Sequence, residues 1–210
     1  MPDPMILLLG AGGHAASVYS ALRASGKVVA GFVAPGKETR IPGLEWWGDD
    51  AVLDRLDPAE VTLVNGIGTV TAGLRRWETW SGAHDRGFRF ETVIHPSAII
   101  PVGTVIGEGT QILAGAIIGV DVRIDEDVII NTGAIIDHHS WVGAHAHVAP
   151  GAVLAGDVTI GPGAHIGLGA RVIQGVTIGS NSTIGAGAVV LSDIPDGVLA
   201  VGVPAQVHRG

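Results

Sequence analysis

From Ile94 to Val190 an aliphatic residue recurs at every sixth position, seventeen times, with no insertion or skipped beat. The run passes through Ile100, Ile106, Ile112 and on to Ile178, Ile184 and Val190. Four residues after each stands a small or β-branched residue, such as Ala98, Thr104, Ala134, Ser140 or Ala188. A fixed period this short is the mark of a hexapeptide β-helix. Each hexad supplies one short strand and its turn, and three hexads close a triangular coil, so residues 18 apart stack. The aliphatic residue fills the prism and its small partner fits the corner. With strands ~4.8 Å apart, the repeats predict a prism on the order of 27 Å long.

The first 90 residues follow a different rhythm. Met5 to Leu9 reads as a buried strand, Gly10-Ala11-Gly12-Gly13-His14 as a turn, and Ala15 to Ser25 as a helix stopped by Gly26. Val28 to Val33 reads as a second strand, which completes a βαβ unit. Gly36 to Asp50 reads as a loop and Asp49 to Leu56 as a short helix. Val61 to Val64 predicts a third strand, Thr69 to Trp80 a helix, and Phe88 to Val93 a further strand. The expected architecture is mixed: an α/β Rossmann-like domain over 1–90, then a parallel β-helix over 91–210. After Val190, Asp193 to Gly197 reads as a turn and Val198 to Pro204 as a last strand. Ligands in doubly wound sheets sit beyond the carboxyl ends of the strands. This puts Gly12, Gly13, His14, Phe32, Val33 and Gly68 around one expected cleft. Gly10, Gly12 and Ala15 satisfy the loose dinucleotide fingerprint, but no acid follows the second strand, and NAD is not expected.

Composition narrows the chemistry. Of 210 residues, 47% are hydrophobic, 15% are charged and 33 are Gly, which suits a buried aliphatic column. A net charge of −8 argues against nucleic-acid or anionic-membrane partners. With no Cys there is no disulfide, thiolate nucleophile or Cys-ligated zinc. The start, MPDPMILLLGAGG, lacks a basic flank, and its apolar run is too short for a signal peptide or a span, so a cytoplasmic protein is expected.

Five of nine His fall between 138 and 165: His138, His139, His145, His147 and His165. None occupies an inward hexad position. Coil arithmetic stacks His138 between Val120 and Gly156, His139 between Asp121 and Asp157, and His147 between Ile129 and His165. Three readings stand: surface decoration, a metal site, or a general base beside a groove. No two of the five are five residues apart, as the His-x4-His of trimeric β-helix carbonic anhydrases requires, so no metal is expected.

The segments GAGGHA (Gly10 to Ala15), IHPSA (Ile94 to Ala98), INTGAIIDHHSWVGAHAHVAPGA (Ile130 to Ala152), LAGDVTIG (Leu154 to Gly161) and VGVPA (Val201 to Ala205) carry a resemblance. The whole chain resembles bacterial sugar acetyltransferases that join a nucleotide-sugar domain to a left-handed β-helix. Members acetylate UDP- or GDP-linked 4-amino sugars, and relatives O-acetylate sialic acid. The resemblance implies the left hand, a homotrimer, and acetyl-CoA as co-substrate in the groove between prisms. It implies His138 as the base that deprotonates the sugar amine. It puts His147 at the thioester, with Asn131 nearby and the backbone of Leu168 and Ala186 along the pantetheine. Gly156, His165 and Gly167 are expected around the same cofactor. Gly12, Gly13 and His14 would hold the nucleotide phosphates, as a helix N-terminus can. The residue after the base is commonly acidic in that family; here it is His139, which leaves the tuning of His138 open between a relay through His139 from Asp121 or Asp157 and the adjacent Asp137. The acidic pair expected after the second strand is replaced by Ala34-Pro35, which leaves the base open between uracil and guanine. Arg171 and Arg209 are candidate partners for the CoA phosphates. The competing readings are O-acetylation of a sugar or sialic acid, and a non-catalytic nucleotide-sugar scaffold.

Overall fold

The computed structural model describes residues 4–208. Five parallel strands make the first sheet: β1 (Met5–Leu9), β2 (Val29–Val33), β3 (Trp46–Gly48), β4 (Val61–Asn65) and β5 (Arg89–Phe90), in the order β3-β2-β1-β4-β5. The central strands are continuous apolar runs because both faces are covered. Ile6, Leu8 and Val64 pack with helix α1 (Gly13–Ala24), while Leu7, Leu9 and Leu63 pack on the other side with Phe88 and Phe90. β1 pairs with both β2 and β4, so the direction of winding switches at its carboxyl end.

Three elements depart from the sequence reading. The strand expected over Phe88 to Val93 divides, Arg89–Phe90 joining the first sheet and Val93–Ile94 the prism. Trp46–Gly48 forms a strand inside the expected loop, with the Trp46 indole N–H donating to Ala34 O at 3.0 Å. The second helix, α2, runs Arg75–His84 rather than from Thr69 to Trp80. Residues 69–74 are drawn out of the helix by the prism: Ala72 N–H donates to Thr183 Oγ1 at 3.0 Å, and Thr69 turns its hydroxyl toward two histidines there.

The prism begins three residues after β5. It is a left-handed hexapeptide β-helix with three parallel faces. The docking face carries Val93–Ile94, Gln111–Ile112, Ile129–Ile130, His147–Val148, His165–Ile166, Thr183–Ile184 and Leu199–Val201, with Gln206–Val207 antiparallel at its end. The middle face runs from Ile117–Ile118 to Val189–Val190, and the far face from Val105–Ile106 to Thr177–Ile178. Registers confirm the 18-residue stack, as in Ile130↔Val148 and Ile136↔Leu154. The aliphatic column is fully buried from Ile112 to Val190, and the small corner residues Ala116, Ala134, Ala152 and Ala170 are buried with it.

A third register accompanies these two. At fifteen of the seventeen repeats the position three after the aliphatic residue has left-handed backbone: Gly at nine, and Asp121, Asp127, His139, His145, Asp157 and Asn181 at the others. An L-residue accepts this conformation at a cost that Gly avoids and Asn or Asp reduces.

The first domain lies on the docking face, held by one buried cluster. Arg76 of α2 is fully buried, as is Asp127 at the prism edge, and their side chains meet at 2.7 Å. Arg76 also donates to Asp127 O (3.1 Å), Asn65 O (3.0 Å) and Ile67 O (2.7 Å). Asn65 Nδ2 donates to Asp127 Oδ1 at 3.1 Å. His145 Nδ1 reaches Asp127 Oδ2 at 3.1 Å, and its ring meets Trp80 edge-on.

Candidate active site

A cleft of about 1480 Å³ opens where the first domain meets the prism. Gly10 to His14 and Gly66 to Thr71 form one wall, from the ends of β1 and β4. Asn131, His147, His165, Gly167, Leu168 and Ala186 form the other. The expected nucleotide and cofactor positions therefore meet in one cavity. At the head of α1 the cap is Gly12, with no side chain closing the helix N-terminus. A Cβ at 12 or 13 would meet nothing within 4 Å, so the turn faces open space. Gly68 is different: a Cβ there would press on His14, so only Gly lets this loop close against the first turn.

Phe32 does not belong to the cleft. Its ring is buried in the core beneath α1, and only Val33 of that pair reaches the cavity. The alternating side of a strand decides this, since neighbours point to opposite faces. Arg171 projects from the middle face and does not line the cleft either. Arg209 lies outside the described residues. Lys37 and Arg75, which the sequence did not single out, bring positive charge to the cleft wall.

The cleft histidines have fixed tautomers. Asn131 Oδ1 accepts from Thr132 N–H at 2.8 Å, so its Nδ2 is what faces His147 Nε2 at 3.1 Å. His147 accepts there and donates from Nδ1 to Thr69, whose hydroxyl is 2.8 Å away. Thr69 Oγ1 in turn lies 3.4 Å from His165 Nδ1. Across the cleft, Gln111 Nε2 donates to Asn65 O at 2.6 Å, so its Oε1 accepts from His14 Nε2–H at 2.8 Å. Burial drives all three imidazoles toward the neutral form. The pKa of His147 falls to about 3 through burial, then through His165, His14 and Arg76. That of His14 falls to about 4 through burial and Arg76, against the Gln111 bond. Burial also lowers His165. These are neutral donors and acceptors at pH 7, not cations.

Gln111, Thr69 and Asn65 are parts of this site that sequence reasoning missed. A signal existed: residues 111, 147, 165 and 183 stack on one face and are Gln, His, His and Thr, polar where a bare prism has no need of it.

His138, His139 and Gly156 do not line the cleft. They sit on the edge between the middle and far faces, after Ile135–Ile136 and before Trp141–Val142. His138 and His147 are nine residues apart, half of an 18-residue coil, and so project from opposite sides of the prism. At the first edge His138 Nδ1 lies 3.0 Å from His139 Nδ1, and His139 Nε2 lies 3.6 Å from Asp121 Oδ2. Exposed apolar side chains flank that edge: Ile99, Ile117, Val105, Val120 and Trp141. Among the described residues there is no group of three or more His, Cys, Asp or Glu placed to hold a metal. No helix among them is long and apolar enough to cross a membrane.

Comparison with known proteins bears on both halves. Residues 5–75 match the PglD N-terminal domain, and residues 157–192 match the bacterial transferase hexapeptide. Among curated proteins, none matches. Among solved structures, PerB from Caulobacter crescentus, in complex with CoA and GDP-perosamine, is 41% identical. The match covers 98% of this chain and 97% of that one, with a TM-score of 0.90. Variants of GDP-perosamine N-acetyltransferase from the same organism, with one histidine replaced by alanine or asparagine, also hold CoA and GDP-perosamine. The acetyltransferase domain of PglB from Neisseria gonorrhoeae FA1090 is 32% identical, covering 98% of this chain and all of that one at a TM-score of 0.92, and has been solved with acetyl coenzyme A. WeeI from Acinetobacter baumannii AYE, 22% identical at a TM-score of 0.58, shares the fold.

Proposed function

The chain belongs to the nucleotide-sugar N-acetyltransferase family, and from that premise we propose that it acetylates the 4-amino group of a nucleotide-linked 4-amino-4,6-dideoxy sugar, with acetyl-CoA as donor. The observation that carries this reading is the single cleft in which a helix N-terminus faces Asn131, His147, Leu168 and Ala186. One wall suits a diphosphate and the other a thioester with its pantetheine arm. GDP-perosamine, held by the relative at 41% identity, is the first acceptor to try, with UDP-linked amino sugars beside it.

His138 is the general base. The amine attacks the thioester carbonyl, the carbon–sulfur bond breaks, and the amine's proton passes to His138 and on to the leaving thiolate. There is no Cys to form an acyl-enzyme. Positioning supplies up to ~7–11 kcal/mol. His147, neutral and held by Asn131 and Thr69, orients the thioester rather than moving a proton.

His138 stands on the edge away from its own chain's cleft, so a second copy must bring its edge there. A homotrimer with parallel prisms does this three times over, with acetyl-CoA between neighbours, and it buries the apolar side chains around Trp141. A location in the cytoplasm, where both substrates are soluble metabolites, is part of the same reading.

The test is a panel of GDP- and UDP-amino sugars with acetyl-CoA, read by thiol release and mass of the product. Acetylation of a nucleotide-linked amine is expected. Thiol release with free sialic acid alone would replace this reading by O-acetylation, and no release with any acceptor would leave a binding scaffold.

A further inference from the structure

A general base needs one ring nitrogen bare, and something must hold the other. His138 Nδ1 and His139 Nδ1 lie 3.0 Å apart with their rings edge to face, so one hydrogen lies between them. Which ring owns it follows from the far side of His139. There Nε2 faces Asp121 Oδ2 at 3.6 Å, and a carboxylate only accepts. A neutral His139 has one N–H, and the carboxylate, just beyond hydrogen-bond distance, favours it on Nε2 through its negative charge. Its Nδ1 is then an acceptor, and the shared hydrogen sits on His138 Nδ1. His138 Nε2 keeps its lone pair.

Two more observations point the same way. His139 has left-handed backbone, φ 59°, at a register position otherwise filled mostly by Gly, Asp or Asn. His145 is the other imidazole at such a position, and it is bonded to the buried Asp127. A strained residue whose side chain is committed to a partner suggests a task for that side chain. Below the base, Gly156 supplies a floor: a Cβ at 156 would overlap Cε1, Nε2 and Nδ1 of the His138 ring.

We propose that His139 is the positioning residue of this site, fixing the base tautomer of His138 with Asp121, one coil earlier, as its anchor. This rests on the assignment of His138 as base. The acid that the family resemblance places directly after the base has moved one coil back, and an imidazole bridges the distance. The effect works through the placement of a hydrogen rather than through charge. The side chains of His139 and Asp121 are 60% and 77% exposed, and exposed ion pairs are weak and screened.

The experiment uses the full chain with ¹⁵N-labelled histidine at neutral pH, the His138 ring signals being assigned by their loss in His138→Ala. The unaltered protein should show His138 protonated at Nδ1 and bare at Nε2. His139→Ala should mix the tautomers and lower kcat roughly tenfold, with KM for both substrates within about twofold, as loss of an orienting partner does. His139→Asp, which suits the left-handed backbone and restores an acceptor, should recover most of kcat. Asp121→Asn should lower kcat less and add nothing to His139→Ala. His138 protonated at Nε2 in the unaltered protein would overturn the proposal. So would His139→Ala with ring signals and kcat unchanged, or two substitutions whose effects multiply. Full turnover by His138→Ala sinks the base assignment instead, and the nitrogen signals still decide who holds the hydrogen.

Discussion

His138 and His147 are the same side chain in opposite surroundings. His147 is buried among neutral partners, and its pKa of about 3 keeps it uncharged through the whole working range. His138 stands on an exposed edge. His138→Ala should therefore lower kcat by roughly 10²–10⁴ and leave acetyl-CoA affinity unchanged by calorimetry. Gly156→Ala is the cleaner probe of its placement. Residue 156 lacks left-handed backbone, so alanine is accepted there, yet its methyl displaces the imidazole. The variant should melt like the parent and lose turnover. The buried histidines speak instead through stability. The unfolded chain binds their protons near pH 6.5, and the folded chain only near pH 4 for His14 and pH 3 for His147. Between those limits the unfolded state binds more protons, so stability falls as pH drops through the window, by up to a few kcal/mol in total. Urea midpoints at pH 7, 5.5 and 4.5 should decline, and the decline should flatten in His147→Gln.

At the scale of elements, the prism was legible because its core repeats strictly. An aliphatic residue falls on every sixth position from Ile94 to Val190, and from Ile112 onward each is buried in the column. The left-handed third register escaped notice because it is written in backbone conformation, and Gly, Asp, Asn and His share no hydrophobic pattern. The helix expected from Thr69 failed for a tertiary reason: Thr69 and Ala72 bond to residues 78 to 111 positions away. Arg76, Asn65 and Asp127 were unreadable likewise, since their partnership joins a helix, a strand end and a coil corner. Most of the cleft was legible through the family motifs, while Phe32 misled because its place on the inner side of β2 is a matter of strand parity. Removing one member of the buried cluster leaves the rest without a partner. Arg76→Ala should cost ~3–5 kcal/mol, because it strands Asp127 as a buried charge. Hydrogen exchange should then quicken in α2 and at the docking face, while the middle and far faces keep their protection.

For the whole molecule, the proposed base His138, on an edge away from the cleft, predicts that assembly is a condition of activity. Light scattering should report a trimer of a 21.3 kDa chain at micromolar concentration. The sharper check mixes two inactive proteins. His138→Ala lacks the base edge and His147→Ala lacks the cleft contact. If each site takes one half from each of two neighbours, co-refolding equal amounts should restore about a quarter of parental activity, the share of interfaces that receive two intact halves. If both halves come from one chain, the mixture stays dead.

The first domain touches the docking face at Gln111, Asp127, His147 and Thr183, and so spans rung after rung of the same stack. Coils of a solenoid hold only their neighbours, and a stretched solenoid should let go one coil at a time. Under a pulling force from the carboxyl end, each released coil of 18 residues would lengthen the tether by about 60 Å. The last coils, beyond Thr183, should peel at low force. The trace should then stall at a single high peak, because the next coil cannot leave until the domain that straps the remaining ones together is itself torn away.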